Sequence, residues 1–367
     1  MLRWTVTGAC TFKMCIRDRY NRLICQCAET APSISAFETY CGIVLDAWRE
    51  RELIVSMNEL ALSGHTADEI TAALEQLVAK QKAIQQQAHR PSERTFLQAV
   101  GEAYQNLFRP DTSLKTGWDR FNQVFGGLQR GGLYIIAARP GDGKTDFSLQ
   151  LAVQLAKKYK VDYRSLEMTR EQLVHRILSR VCTIHSSRFR DHDIDETAQK
   201  RIGFVVDRMG DLHFTMDDTP RISVQDIERK LAAGKPDALF IDYLGLMKGD
   251  ESGRKPLWQI TGEITHALKA LAQKHGVVLV ALVQLARAVD RQKEPTLSDL
   301  KGGSDIEADA DGVLFLRPHK DETFLSGDEF WPVDLILAKN RHGGTGRLSF
   351  AWQPQYHSYR VMERSEA

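Results

Sequence analysis

The sequence predicts an α/β domain on a mostly parallel, twisted sheet, preceded by a small α-helical domain and a linker helix. Three observations predict it. From Thr112 onward short apolar runs alternate with amphipathic stretches, as strands joined by crossover helices do. Leu133–Ala138 is almost wholly apolar, as a strand buried on both faces must be. Residues 37–88 instead carry apolar side chains at three-to-four spacing, the period of a helix.

Composition bounds the rest. The 367 residues are 43% hydrophobic and 26% charged, the balance of an ordinary globular protein with room for a large domain and a smaller one. No apolar run reaches the roughly eighteen residues that a membrane span needs, so no membrane partner is expected. The formal charge is +1, so nucleic-acid binding has to come from local clusters rather than from a general basic field. Five of the six cysteines, at 10, 15, 25, 27, 41 and 182, crowd into the first 41 residues. Their spacing fits no common zinc finger, and no histidine stands near, which favours free thiols in a reducing cytoplasm over a zinc site.

In chain order, residues 1–36 show no clear period and stay unassigned. Met14–Arg19, MCIRDR, is also what a transposon-derived sequencing adapter reads as in one frame. Everything up to about Arg19 is therefore read as an assembly chimaera, with a coincidental hexapeptide as the other reading. In 37–88, Phe37, Tyr40, Val44, Leu45 and Trp48 form one helical stripe, and Ile70, Leu74, Leu77 and Val78 another. Between them Thr66 and Glu69 make a capping box. The segment 89–111 is a linker carrying an amphipathic helix with Phe96, Leu97, Val100, Tyr104, Leu107 and Phe108 on one side. Such a stripe packs either on its own domain or on a neighbouring subunit.

Residues 112–367 form the α/β domain. After Leu133–Ala138, strands are predicted at Val161–Leu166, Leu212–Met216, Ala238–Asp242, Val277–Val283 and Gly312–Leu316. Helices fit from Lys144 to about Lys158, and at Arg170–Thr183, Ser223–Ala233 and Leu257–His275. Val333–Ala338 and Arg347–Trp352 read as an antiparallel hairpin at the sheet edge.

The chemistry is concentrated at the carboxyl ends of these strands. Arg139, Pro140, Gly141, Asp142 and Gly143 form a turn between a buried strand and a helix that opens with Lys144, Thr145 and Asp146. This is a phosphate-binding loop: small residues let main-chain N–H groups wrap phosphates at a helix N-terminus. Lys144 reaches the β- and γ-phosphates, and the Thr145 hydroxyl holds Mg²⁺. The pattern departs from the usual one in having Ala138 at the first glycine. Asp242 ends an apolar strand, where a carboxylate can hold the metal or its water beside Thr145. Glu167 stands past the next strand, placed to deprotonate an attacking water, or else simply a surface carboxylate. Gln284 at a strand end can sense a γ-phosphate. Beyond it Arg287 and the stretch Lys301, Gly302, Gly303, Ser304 offer charge and main-chain N–H groups to a nucleic-acid backbone, or form a solvated loop. Lys339 and Arg341 suit contacts to a triphosphate, and equally a solvated strand edge.

These motifs, in this order, resemble the ATPase part of the DnaB-type replicative helicases. The matching residues are Leu128-Gln129, Ala137-Ala138-Arg139-Pro140, Gly143-Lys144-Thr145, Ser165-Leu166-Glu167-Met168, Ile241-Asp242-Tyr243-Leu244, Gln284-Leu285, Ser298-Asp299-Leu300, Asp309-Ala310-Asp311 and Lys339-x-Arg341. Together they span about Leu114 to Val361. The resemblance implies a RecA-like P-loop core, ATP and Mg²⁺ as cofactors, and a homohexameric ring translocating on single-stranded DNA, and leaves room for a helicase loader and a primase as partners. By the same resemblance Glu167 is the catalytic base, Asp242 the metal-associated acid, Gln284 the sensor, and Arg341 an arginine finger that enters a neighbour's site with Lys339. Two departures stand out. Lys301-Gly302-Gly303-Ser304 replaces the family's Arg-Glu-Ser-Gly, losing a bidentate arginine, and Val283 replaces a serine. The first half of the helical amino-terminal domain is missing or replaced, which suits a phage or prophage form. The competing readings are a RecA- or RadA-like recombination ATPase, and a helicase-like protein that only caps or poisons a host ring.

Overall fold

The computed structural model describes residues 111–249, 255–285, 293–300, 303–319 and 330–362, with isolated positions between 51 and 108 and without the side chains of Leu257 and Ser304. The chain divides into two units, Met1–Arg109 and Pro110–Ala367. In the first unit the described positions Arg51, Ile54, Val55, Asn58, Ala73, Leu74 and Glu75 are helical, as are Phe96, Val100 and Tyr104. Phe96, Tyr104, Leu107 and Phe108 are exposed. The expected scar in 1–36, the capping box at Thr66 and five of the six cysteines lie outside the described residues; Cys182 is buried as a free thiol.

The second unit is built on a nine-stranded sheet. Its elements are α1 (Asp119–Phe125), β1 (Leu133–Ala138), α2 (Lys144–Leu155), β2 (Val161–Ser165), α3 (Arg170–Cys182), α4 (Ser186–Arg190), α5 (Glu196–Met209) and β3 (Phe214–Asp217). They continue with α6 (Val224–Gly234), β4 (Ala238–Asp242), α7 (Leu257–His275), β5 (Val278–Gln284), α8 (Gly303–Asp309), β6 (Gly312–Pro318), β7 (Trp331–Asn340), β8 (Gly346–Gln353) and β9 (Ser358–Val361). The strand order is β3-β2-β4-β5-β1-β6-β7-β8-β9. The pairings from β3 across to β6 are parallel; those from β6 to β9 are antiparallel.

Side-chain alternation along β1 explains why the sheet is covered on both faces. Tyr134, Ile136 and Ala138 point into the core formed with α2 and α3. Leu133, Ile135 and Ala137 point into the core formed with α6 and α7. A strand with no wet face has to be apolar throughout. Helix ends follow local chemistry: Thr169 and Gln172 close a capping box on α3, as do Ser223 and Asp226 on α6.

Leu133–Ala138, Ala238–Asp242 and Leu257–His275 match the expected bounds, and the other predicted strands and helices differ by a few residues. The Leu212–Met216 strand is shifted to Phe214–Asp217, because Leu212 and His213 hold the approach to β3 against Met209 and Ala156. Gly303, expected in a loop, instead opens α8, with Asp305 in its first turn, where a carboxylate complements the helix dipole. Helices α1, α4 and α5 and strand β9 were not legible. In α5 only Ala198 is buried, so no broad apolar stripe marks it in sequence. Among the described residues no helix is long and apolar enough to cross a membrane.

Candidate nucleotide site

The loop between β1 and α2 turns on two glycines, Gly141 at φ +79° and Gly143 at φ +78°, a region that side chains disfavour. Gly143 is required twice over. A Cβ there would lie 2.2 Å from the Tyr359 hydroxyl and 2.7 Å from the Trp352 ring. Ala138 needs no such freedom. It is the last residue of β1, paired in register with Gln284, and its methyl is buried in the core. The first glycine of the usual motif is dispensable here because the position is still strand.

Helix α2 begins at Lys144, and its first main-chain bond runs from the Phe147 N–H to the Gly143 carbonyl (2.9 Å). The N–H groups of Lys144, Thr145 and Asp146 therefore have no acceptor within the helix. The Thr145 hydroxyl donates to Asp242 Oδ2 (2.8 Å), and the Tyr163 hydroxyl reaches the same oxygen (3.2 Å). Ser148 lies 2.9 Å from the Tyr163 hydroxyl, so α2, β2 and β4 meet at one carboxylate.

Two atoms of this cradle are left over. Lys144 Nζ and Asp242 Oδ1 are buried and, among the described residues, have no hydrogen-bond partner. Lys144 Nζ sits 4.8 Å from the centre of the Tyr243 ring. Burial lowers the Lys144 pKa, against the opposing pull of Asp242 and Glu167. Burial likewise raises that of Asp242, against Lys144, Thr145 and Tyr163. Orphaned buried charges are costly, and a group with acceptors for Lys144 and a cation for Asp242 would relieve both. The residues present fit a magnesium-bound nucleoside triphosphate.

The expected residues are brought together in part. Glu167 is exposed just past β2, close enough for its charge to act on Lys144 and Tyr243. Gln284 ends β5 beside Ala138. Pro140 and Gly141 are exposed at the tip of the loop, and Asp142 is buried beneath it. The Asp146 carboxylate turns away from the loop, to Arg176 Nη1 (2.6 Å) and His357 Nδ1 (3.0 Å). Desolvation alone would raise its pKa, but the His357 and Arg176 contacts outweigh it and hold the carboxyl below its ordinary value. Asp146 therefore has only its main chain to offer a nucleotide. Arg287, Lys301 and Gly302 lie outside the described residues, and of Gly303 and Ser304 the main chain opens α8.

Lys339 and Arg341 are not at this loop. Their ammonium and guanidinium groups bond the Glu307 and Ala308 carbonyls at the end of α8. The Arg341 N–H donates to the Asp311 carbonyl (2.7 Å), and the Asp311 N–H to the Leu133 carbonyl (2.8 Å). Both cations thus stand at the amino end of β1, whereas the phosphate loop leaves its carboxyl end. A strand of this length separates them by roughly 17 Å.

Several residues of the site escape a reading of motifs. Strand β9 braces the loop: Gln150 exchanges two hydrogen bonds with the Tyr359 main chain (2.7 and 2.8 Å), and the Tyr359 hydroxyl donates to the Gly143 carbonyl (3.2 Å). Tyr359 stacks on Trp352 at 5.7 Å. One signal was available. Asp146, Ser148 and Gln150 are polar residues on a helix buried almost all round, so each had to find an interior partner.

Comparison with known proteins agrees with this geometry. Residues 113–361 match the family model described as the DnaB-like helicase C-terminal domain. The chain is 31% identical over 353 residues to the replicative DNA helicase DnaB of Geobacillus stearothermophilus, covering 92% of this chain and 77% of that protein. It is 30% identical over 355 residues to the replicative DNA helicase DnaC of Bacillus subtilis, with the same shares. A solved structure of an isolated ATPase domain superposes with a TM-score of 0.65 at 26% identity, covering 74% of this chain and 99% of that one. A DnaB-like replicative helicase solved for its interactions with primase shares the fold at a TM-score of 0.67 and 23% identity, over 92% of this chain and 82% of that one. The chain belongs to the DnaB-like helicases and is an ATP-dependent replicative helicase.

Proposed function

We propose that this protein unwinds DNA at the replication fork as a homohexameric ring that moves along single-stranded DNA, driven by hydrolysis of ATP with Mg²⁺ at sites shared between subunits. The observation that carries this reading is the position of Arg341, at the far end of the sheet from the phosphate loop of its own chain. A cation so placed stands away from its own chain's phosphate loop, which supports a role at a neighbour's nucleotide.

Within one site, Lys144 would neutralise the β- and γ-phosphates, and the N–H groups that open α2 would hold the remaining oxygens. Thr145 and Asp242 would hold Mg²⁺, which offsets charge on the β- and γ-oxygens when bound. Glu167 would take the proton of the attacking water, and Gln284 would report the γ-phosphate to the segment after β5. Arg341, with Lys339 beside it, would stabilise charge developing on the adjacent subunit's γ-phosphate, an effect of ~10³–10⁵ in turnover in related systems. The exposed Phe96, Tyr104, Leu107 and Phe108 suit a linker helix docked on a neighbouring protomer. A loader and a primase are the protein partners this reading implies, in the cytoplasm of a bacterial or phage-infected cell.

A forked DNA substrate with ATP, followed beside electron microscopy, tests the reading. Rings together with unwinding are expected, and Lys144→Ala should lose the unwinding. Filaments with strand exchange, or nucleotide-independent capping of another ring, would overturn it.

A further inference from the structure

Lys144 is the charge of the phosphate loop, and among the described residues its buried ammonium has no hydrogen-bond partner. Asp242 does not take it. One oxygen of that carboxylate is bonded by Thr145 (2.8 Å) and Tyr163 (3.2 Å), and the other stands unpartnered. Asp242 and Glu167 act on the ammonium through space, without a bond to it. What faces it is the Tyr243 ring, whose centre is 4.8 Å from Lys144 Nζ. That lies inside the roughly 6 Å over which a cation and an aromatic face attract.

The chain fixes the ring there. Tyr243 follows Asp242 at the end of β4 and leads into a single 3-10 turn, Leu244–Leu246. The Leu246 N–H donates to the Tyr243 carbonyl (3.1 Å), and Leu244 is buried. The main chain of Tyr243 is thus held by β4 before it and by the turn after it. A Cβ on Gly245 would lie 3.0 Å from the ring, so a glycine leaves the ring room to lie along the turn. Neither a carboxylate nor an aliphatic side chain would serve as well. The carboxylate would compete with phosphate as a full ion pair, and the aliphatic group would leave a buried charge unmet. A ring attracts the ammonium less strongly than charge-assisted hydrogen bonds to phosphate oxygens do, so the ammonium can be given up.

We propose that Tyr243 is a positioning residue that holds the Lys144 side chain while the site is empty and yields it to the phosphates when nucleotide binds. This rests on the phosphate role of Lys144 given above. The ring stabilises the empty site, and by linkage it eases nucleotide release by the same factor. The phenol hydroxyl has no part in this.

The first test is a double-mutant cycle in urea unfolding of the nucleotide-free full chain. Tyr243→Leu should raise the unfolding equilibrium constant about five-fold more in the parent than in a Lys144→Met background, where no cation faces the ring. Tyr243→Phe keeps the ring and should show no such difference. If the leucine variant does not fold, Tyr243→Met serves the same cycle. The second test is calorimetric binding of a non-hydrolysable ATP analogue with magnesium. Tyr243→Leu should bind it about five-fold more tightly than the parent, because the lysine no longer has to be drawn off the ring, and Tyr243→Phe should bind as the parent does. An equal cost of Tyr243→Leu in both backgrounds would reduce the ring to packing and overturn the proposal. Weaker binding by Tyr243→Leu, with the coupling intact, would show that the ring stays engaged when nucleotide is bound, and would overturn the hand-over. If Lys144→Met binds the analogue as tightly as the parent, the phosphate role of Lys144 fails first and the hand-over with it.

Discussion

Asp242, bonded to Thr145, and Asp146 both lie beside the same phosphate loop, yet the balance of forces on them gives opposite results. Asp146 gains a histidine and an arginine, and its carboxyl is held low. Its pairing stabilises the fold above the unfolded carboxyl value of about 4 and is lost as pH falls through the folded value. The Asp242 carboxyl is raised because desolvation exceeds what Lys144, Thr145 and Tyr163 return. A raised carboxyl destabilises the fold at every pH above its folded value, and that cost vanishes as pH drops below about 4. Asp242→Asn should therefore raise the Tm of the nucleotide-free protein at pH 7, each kcal/mol being worth about 2–4 °C in a domain this size. The gain should disappear in acid, and ATP hydrolysis should be lost. Calorimetry across pH checks this. A lower Tm at pH 7 would mean that Thr145 and Tyr163 need the charged acceptor.

At the scale of elements, the phosphate loop is held from behind by the β8–β9 hairpin. Tyr359 is wholly buried, touches Phe147, Phe350 and Trp352, and bonds the Gly143 carbonyl. Tyr359→Ala should destabilise the domain by about 3–5 kcal/mol, as large aromatic truncations do. Tyr359→Phe loses only the hydroxyl and should cost about 0.5–1.5 kcal/mol. Urea unfolding gives both numbers. ATP affinity should fall with the alanine variant, because the loop loses its brace; unchanged affinity would confine β9 to a packing role.

At the scale of the whole molecule, the sheet puts the phosphate loop at one end and Arg341 at the other. On the proposed reading, one chain would present half a site on each of two surfaces. Arg341→Ala should leave nucleotide binding largely intact and stop hydrolysis, and Glu167→Gln should do the same. Mixed together, with Glu167→Gln in excess, the two should regain ATPase activity. Each Arg341→Ala subunit keeps its own Glu167 and can borrow Arg341 from a Glu167→Gln neighbour. No recovery in mixed hexamers confirmed by gel filtration would show that the finger does not act between chains.

Pattern alone determined the strand at Leu133–Ala138, the glycine turn, the acid at the end of β4 and the order of the parallel strands' motifs. These features are local: an apolar run, a turn residue and a charge at a strand end are each written in consecutive residues. Tertiary structure decided the rest. Tyr359 and His357 reach the loop from more than two hundred residues away in sequence, which no spacing rule can encode. Asp146, two residues after Lys144, is turned from the nucleotide by partners on α3 and the β8–β9 turn. The cations at 339 and 341, which read as nucleotide contacts or a wet edge alike, were placed only by the sheet. Once β6 and β7 pair antiparallel, β7 must end where β1 begins, and the chain's own phosphates are out of reach.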